Sequence, residues 1–111
     1  MGTVSKLHKL YVGLNDKVTK KQIFPRDIAI EAILSALQYK GIDCTISMGK
    51  GIYTHEDTRE VVKEETIIIE ILDFGHIDFE SIKATCEVIK QVLNQESIGY
   101  QVVTLDKCEL L

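Results

Sequence analysis

A glycine–lysine–glycine step at Gly49, Lys50 and Gly51 is the first feature of the sequence that could do chemistry. Two glycines permit backbone conformations that turn N–H groups toward an anion, and the lysine between them adds a positive charge. The spacing is not that of a P-loop, because the sequence lacks the GxxxxGK[ST] pattern and the helix that should follow it. Two interpretations stay open: an anion-binding turn, or a glycine-relieved bulge in a long hairpin.

The densest polar cluster of the sequence follows this step. His55, Glu56 and Asp57 are consecutive, so their side chains point in different directions, and the sequence has no second histidine at i+2 or i+4 to complete a metal site. Tyr53, at the root of this segment, offers contact area at a low entropic cost, which favours a partner contact. We therefore predict no metal and no cofactor. The predicted ligand-binding residues are Gly49, Lys50, Gly51, Tyr53, His55 and Arg59.

Catalytic residues are not predicted. His8 and His76 lie far apart, and each is better explained as a structural or surface histidine than as a ligand. The three cysteines, Cys44, Cys86 and Cys108, are widely spaced and odd in number, without a CxxC motif. This pattern favours free thiols and a cytosolic location. No serine, histidine and aspartate occur in a recognisable catalytic context.

Charge is distributed unevenly along the chain. The net charge is −4, yet residues 1–26 carry six of the 13 basic residues and only one of the 17 acidic ones. An acidic remainder argues against general nucleic-acid binding, which needs a concentrated positive surface. The lysine-rich connection Asn15–Phe24 is either a local anion or partner site or a solvated, mobile loop. The longest apolar run, Thr66–Leu72, is too short to cross a bilayer, so no membrane partner is expected.

Hydrophobic periodicity predicts the elements that position these residues. Alternating apolar residues indicate strands, and apolar residues at three-to-four spacing indicate helices. The predicted order is strand Lys6–Leu14, helix Pro25–Lys40, strand Cys44–Tyr53, strand Thr66–Leu72, helix Asp78–Leu93 and strand Ile98–Leu105. This βαββαβ order predicts one α+β, ferredoxin-like domain over residues 1–111, a four-stranded antiparallel sheet with two helices on one face.

The predicted packing leaves one sheet face bare. The predicted buried helix residues are Ile30, Ile33, Leu34, Leu37, Ile82, Cys86, Ile89 and Leu93. Gly41 is expected to end the first helix and Asp78 to cap the second. With both helices on one face, the opposite face would expose apolar side chains, which is unusual for a monomer. We therefore expect a homo-oligomer, either a dimer or a trimer.

The pattern resembles the PII signalling proteins and their PII-like relatives. The matching parts are the helix ending at Gly41, the strand Cys44–Met48, the step at Gly49–Ile52, the segment through Glu65 and the strand Thr66–Leu72. The resemblance implies an oligomer whose long loop between the second and third strands contacts partners. It also implies that Lys50 and the backbone of Gly49–Gly51 would bind the phosphates of a nucleotide-like ligand.

A second resemblance is to small uncharacterised proteins of Gram-positive bacteria and their mobile elements. The shared layout is LYVGLND at Leu10–Asp16, GIYTHED at Gly51–Asp57 and NQESI at Asn94–Ile98.

Three functions remain open. The first is a non-enzymatic PII-like module that binds a small anionic ligand or a partner protein through Gly49–Glu65. The second is a protein-interaction factor or ligand sponge against host defence. The third is a small enzyme of the dimeric α+β-barrel type.

Overall fold

The computed structural model describes residues 5–111, so the first four residues of the predicted domain lie outside the described part. Six elements follow the predicted order. They are β1 (Ser5–Gly13), α1 (Arg26–Tyr39), β2 (Thr45–Thr54), β3 (Val61–Asp73), α2 (Phe79–Leu93) and β4 (Gly99–Leu105). Within residues 5–111, neither helix is long and apolar enough to span a membrane.

The four strands form one antiparallel sheet in the order β2-β3-β1-β4. The predicted ferredoxin-like fold is therefore confirmed. Alternation along the strands puts one set of side chains under the helices, as expected for a half-covered sheet. On that face lies the core, which also includes residues from both helices. Its buried apolar members are Leu10, Val12, Leu14, Ala29, Ile33, Leu37, Ile42, Ile67, Ile69, Ile71, Ile82, Ile89 and Leu93.

The helix predictions need small corrections. On α1, Ile33 and Leu37 are buried as predicted, together with Ala29, whereas Ile30 is only partly covered. On α2, Thr85 takes the buried place predicted for Cys86. Thr85 can be buried because its hydroxyl donates to the Ser81 carbonyl oxygen at 2.8 Å, so it brings no unpaired polar group into the core. The side chain of Asp78 caps α2 as predicted, and Gly41 has the left-handed φ of +67° expected after α1.

The second and third strands along the chain, with the segment between them, form a continuous hairpin. β2 and β3 pair residue for residue from Thr45 with Glu70 to Thr54 with Val61. The predicted interruption or bulge at Gly49–Gly51 is wrong, because these residues lie in a regular strand and neither glycine has a positive φ. β3 also begins five residues earlier than predicted, since pairing with β2 makes its charged start extended. Residues 61–65 project beyond the end of β1, which pairs with β3 from residue 66 onward.

A buried polar network lies at the opposite end of the sheet from the hairpin tip. His8 is 4% exposed and Asp73 is 5% exposed. The imidazole Nε2 of His8 lies 2.8 Å from Asp73 Oδ2, and its Nδ1 lies 2.7 Å from the Tyr100 hydroxyl. His8 is therefore a structural histidine, one of the two roles that the sequence favoured. Asp73 was not predicted in the core, because its buried side-chain partner, His8, is 65 residues away in the sequence.

Candidate functional site

A polar cavity of about 490 Å³ opens on the sheet face that the helices leave bare. We call this cavity the hollow. It lies where the β2–β3 hairpin leaves the rest of the sheet, and its volume suits a small organic ligand. Its lining residues are Tyr11, Gly13, Asn15, Asp16, Lys17, Lys20, Gly51, Tyr53, Glu64, Thr66, Gln95, Glu96, Ser97 and Gly99.

Three glycines on three different strands form the floor of the hollow. A Cβ atom at Gly13 would lie 2.6 Å from the carboxyl carbon of Glu64, and one at Gly51 would lie 2.7 Å from the Thr66 hydroxyl oxygen. A Cβ atom at Gly99 would lie 3.3 Å from Cβ of Tyr11. Because these positions carry no side chain, the neighbouring side chains lie close to the sheet and the space above them stays open.

The carboxylate of Glu64 lies directly over Gly13. The backbone N–H of Asn15 donates to its Oε2 atom at 3.0 Å, which fixes the side chain in this position. Glu64 projects onto the same face as Tyr53, because the two residues lie on paired strands and Glu64 is the register partner of Gly51. The sequence thus folds so that a half-buried acid stands on the floor of the hollow.

Tyr53 is the neutral hydrogen-bonding group beside this acid. Partial burial and the negative charge of Glu64 raise the pKa of Tyr53 above its usual value, against the opposing effect of a hydrogen bond with Asn15. The phenol therefore stays protonated at neutral pH and can donate a hydrogen bond to a ligand. Its side chain is 42% exposed, so the ring also offers an open face for stacking.

The predicted site residues are only partly brought together. Gly51 and Tyr53 line the hollow, whereas Gly49 and Lys50 are not among its lining residues. Gly51 and Glu64 are register partners on the face of the hollow, and Lys50 and Glu65 are the next pair along the strands. Because successive side chains of a strand alternate between faces, the Lys50 side chain projects to the opposite side of the hairpin. A ligand contact by Lys50 stays a prediction, without the glycine turn that was expected to support it.

His55 and Arg59 lie in the turn that joins β2 to β3. The N–H of Arg59 donates to the His55 carbonyl oxygen at 2.9 Å, and the N–H of His55 donates to the Glu60 carbonyl oxygen at 2.8 Å. Arg59 has a left-handed φ of +59°, and its side chain is exposed. This tip is available to a partner protein, but the structure places neither residue in the wall of the hollow.

Sequence reasoning missed the residues that define the hollow most clearly. Glu64, Gly13 and Gly99 were assigned no role. The available signal was strand alternation: in a regular hairpin, Glu64 falls on the same face as Tyr53. The register between β2 and β3 could not be predicted, because an interruption was assumed at Gly49–Gly51.

A larger cavity, of about 590 Å³, lies at the other end of the same sheet face. Its lining is mainly apolar and includes Leu7, Leu72, Phe74 and Leu110. Leu72 is 43% exposed and Val103, on the same face of β4, is 40% exposed. The lining also includes Asp43, Cys44, Glu70 and His76. This cavity forms part of the bare apolar face, whereas the hollow is more polar and has an acid, Glu64, that a backbone hydrogen bond holds in place.

Comparison with known proteins finds similarity in structure only. No protein-family model matches the sequence, and no curated protein matches it either. Among solved structures, a phage SAM lyase in complex with S-methyl-5'-thioadenosine is similar with a TM-score of 0.65 and 19% identity, covering 98% of this chain and 95% of the lyase.

Two further neighbours belong to other groups. Bacillus subtilis GlnK, in its ATP complex, is similar with a TM-score of 0.60 and 16% identity, covering 95% of this chain and 84% of GlnK. CutA from Synechococcus elongatus has a TM-score of 0.58 and 11% identity, covering 95% of this chain and 80% of CutA. At such identities the likeness concerns the fold alone. The chain has the ferredoxin-like fold that the phage SAM lyase, GlnK and CutA share, as its PII-like pattern predicted.

Proposed function

We propose that this protein is a homo-oligomeric binding module that holds an adenosine-containing small molecule in the hollow. The observation that carries the proposal is a cavity of about 490 Å³ that is lined by three glycines together with Tyr53 and Glu64. The glycines let the side chains of Glu64, Thr66 and Tyr11 lie close to the sheet. This leaves room above them for a flat ring, which Tyr53 can stack against or donate to. Two neighbours of the same fold are described with adenosine compounds, S-methyl-5'-thioadenosine and ATP.

The charge of the hollow favours a ligand of the SAM class over a nucleoside triphosphate. The lining carries three acids, Asp16, Glu64 and Glu96, and two lysines, Lys17 and Lys20. A triphosphate carries negative charge only and would meet these acids in a confined space. SAM instead carries a positively charged sulfur, which a carboxylate attracts. The sequence predicted a nucleotide-like ligand. We keep the nucleoside part of that prediction and replace the phosphates by a positively charged sulfonium.

Self-association follows from the uncovered sheet face. Leu7 and Ile68 are half-buried on the part of this face outside the hollow, and Leu72 and Val103 are more exposed still. An apolar surface of this kind on one face of a sheet favours burial against another protein surface. A second copy of this chain, in a dimer or trimer, is the partner that we propose for it.

The test is calorimetric titration of the purified protein with S-methyl-5'-thioadenosine, SAM and ATP. We expect saturable binding of the first two compounds and weaker binding of ATP. The variant Glu64→Gln should weaken SAM about tenfold, the effect of about 1.4 kcal/mol from one lost charge interaction, and should affect the uncharged thioether less. Glu70→Gln is the matched control, because Glu70 lies on the same strand and face outside the hollow.

The proposal fails if neither adenosine compound binds, or if Glu64→Gln and Glu70→Gln weaken SAM equally. A solution mass measured on the same samples tests the oligomer, since the chain alone accounts for 12.5 kDa. A mass of one chain across the working concentration range would contradict self-association.

Cleavage of SAM is the second candidate function, favoured by the placement of Glu64 beside Tyr53. Elimination would break the bond between sulfur and the amino-acid side chain, with both electrons passing to sulfur. A base takes a proton from the neighbouring carbon of that side chain, so that a C=C bond forms in the released amino acid. The sulfonium thereby becomes the neutral thioether S-methyl-5'-thioadenosine, the compound described with the phage lyase. The half-buried carboxylate of Glu64 on the floor is suitably placed to take the proton. Chromatography of the titration samples distinguishes binding from turnover, because only turnover converts SAM into the thioether.

A further inference from the structure

The lysine-rich connection between β1 and α1 is fastened at its base by a buried carboxylate. Asp16 is 5% exposed. Its Oδ1 atom accepts hydrogen bonds from the backbone N–H groups of Val18 at 2.8 Å and Thr19 at 3.0 Å. Its Oδ2 atom accepts a hydrogen bond from the side-chain amide of Asn94 at 2.7 Å. These bonds, led by that of Asn94, lower the pKa of Asp16 below its usual value, so the carboxylate is charged at neutral pH.

A second set of hydrogen bonds ties the same connection to the turn after α2. The backbone N–H of Lys17 donates to the Asn94 carbonyl oxygen at 3.0 Å. The side-chain amide of Gln95, which is 8% exposed, donates to the Asn15 carbonyl oxygen at 2.9 Å. The predicted mobile loop is thus anchored at its base to a distant part of the chain, although its outer residues are exposed.

This anchoring places two lysines in the wall of the hollow. Lys17 and Lys20 are both lining residues, and Lys20 is held in a left-handed conformation with φ of +62°. Its N–H donates to the Asp16 carbonyl oxygen at 2.9 Å. The hollow therefore has both signs of charge in its lining: Glu64 lies on the floor, and Glu96 lies in the wall with the two lysines. Such an arrangement is complementary to a ligand that carries both signs of charge.

We propose that Lys17 and Lys20 form a carboxylate-binding subsite, so that the hollow selects an adenosyl amino acid over the same nucleoside without the amino-acid tail. This inference rests on the proposed function, because it names the part of the ligand that lies away from the ring. The sulfonium or the amine of such a ligand would face Glu64, and its carboxylate would face the lysines. The lysine-rich connection, one of whose open interpretations was an anion site, thereby receives a function.

Titration of a double variant tests the subsite. Lys17→Ala/Lys20→Ala should weaken SAM about tenfold and change the affinity for S-methyl-5'-thioadenosine less than about twofold, because the thioether has no carboxylate. The control variant is Lys6→Ala/Lys21→Ala. It removes the same charge from two exposed lysines, one in the same connection, that do not line the hollow. It should leave both affinities within about twofold of the wild-type values.

The outcomes separate this inference from the function on which it rests. If the double variant weakens both compounds equally, or weakens neither, the carboxylate subsite is wrong and the adenosine site stands. If the control variant weakens SAM as much as the double variant does, the effect is one of overall charge and the subsite is also wrong. If the wild-type protein binds neither compound, the proposed function itself is overturned and the subsite with it. Melting temperatures of all variants establish that each is folded.

Discussion

Replacing Asp73 with alanine is expected to lower the free energy of unfolding by about 3 kcal/mol. Asp73 is 5% exposed, and its Oδ1 atom accepts hydrogen bonds from the backbone N–H groups of Gly75, His76 and Ile77 at 2.8, 3.1 and 3.2 Å. Its Oδ2 atom lies 2.8 Å from Nε2 of His8. Alanine would leave the buried imidazole and the three N–H groups without this acceptor. Urea denaturation followed by circular dichroism measures the loss.

Two further variants make this measurement specific. Asp73→Asn keeps a carbonyl oxygen for the backbone N–H groups, so its cost should be smaller, about 1 to 2 kcal/mol. Asp57→Ala, in the exposed turn of the hairpin, should change stability by less than about 0.5 kcal/mol. If Asp73→Ala were no more costly than Asp57→Ala, the buried network would not contribute to stability as described.

The same network gives the protein a pH dependence with a defined sign. Burial favours the neutral form of Asp73, but the hydrogen bonds from His8 and from the backbone outweigh it, so the pKa of the folded state is lowered. A lowered folded-state pKa means that the contribution to stability is present above the unfolded-state value near 3.8. It is lost as the pH falls through the folded-state value. Below about pH 4, the wild-type protein should therefore lose the advantage that it has over Asp73→Asn at neutral pH.

Gly13→Ala should weaken the binding of S-methyl-5'-thioadenosine and SAM about thirtyfold, or about 2 kcal/mol. The added Cβ would meet the Glu64 carboxylate, which must then leave its place over residue 13 and beside the Asn15 N–H and move into the space above the floor of the hollow. Because the obstructing atoms belong to the end of a flexible side chain, the fold should survive the change. Calorimetric titration measures the affinity, and the melting temperature reports on the fold.

Gly49→Ala provides the matched control for this variant. Gly49 is also a β-strand glycine on the bare sheet face, but an added Cβ would meet Cδ1 of Ile68 at 3.2 Å, outside the hollow. Its affinity for the two compounds should stay within about twofold of the wild-type value. Equal weakening by the two substitutions would mean that the floor of the hollow is not the binding surface.

Local patterns predicted most of the fold because they depend on neighbouring residues. The alternation in β1 separates Leu10 and Val12 from Tyr11, and the structure puts the first two under the helices and Tyr11 on the other face. Asp78 and Gly41 correctly marked helix ends, since each acts on backbone groups close to it in the sequence. The start of β3 was missed for the opposite reason: its charged residues become extended through pairing with β2, and that pairing is not visible in the local pattern.

The candidate site was predicted only in part, because its geometry depends on register between distant strands. Gly51 and Tyr53 were identified from their types, but Gly13 and Glu64 meet only after β1 and β2 have each paired with β3. The role of Asp16 is equally non-local, since its side-chain partner Asn94 is 78 residues away. The residue types predicted a functional site near the β2–β3 hairpin. Only the folded sheet shows which face of that hairpin lines the hollow.

Nuclear magnetic resonance with S-methyl-5'-thioadenosine tests the central claim most directly, because glycine amide signals can be followed at known places in this fold. We predict progressive shifts at Gly13, Gly51 and Gly99, which form the floor of the hollow, and little change at Gly41 and Gly75, which lie in turns outside it. Shifts at Gly41 and Gly75 without shifts at the three floor glycines, or no shifts at a saturating concentration, would contradict an adenosine site in the hollow.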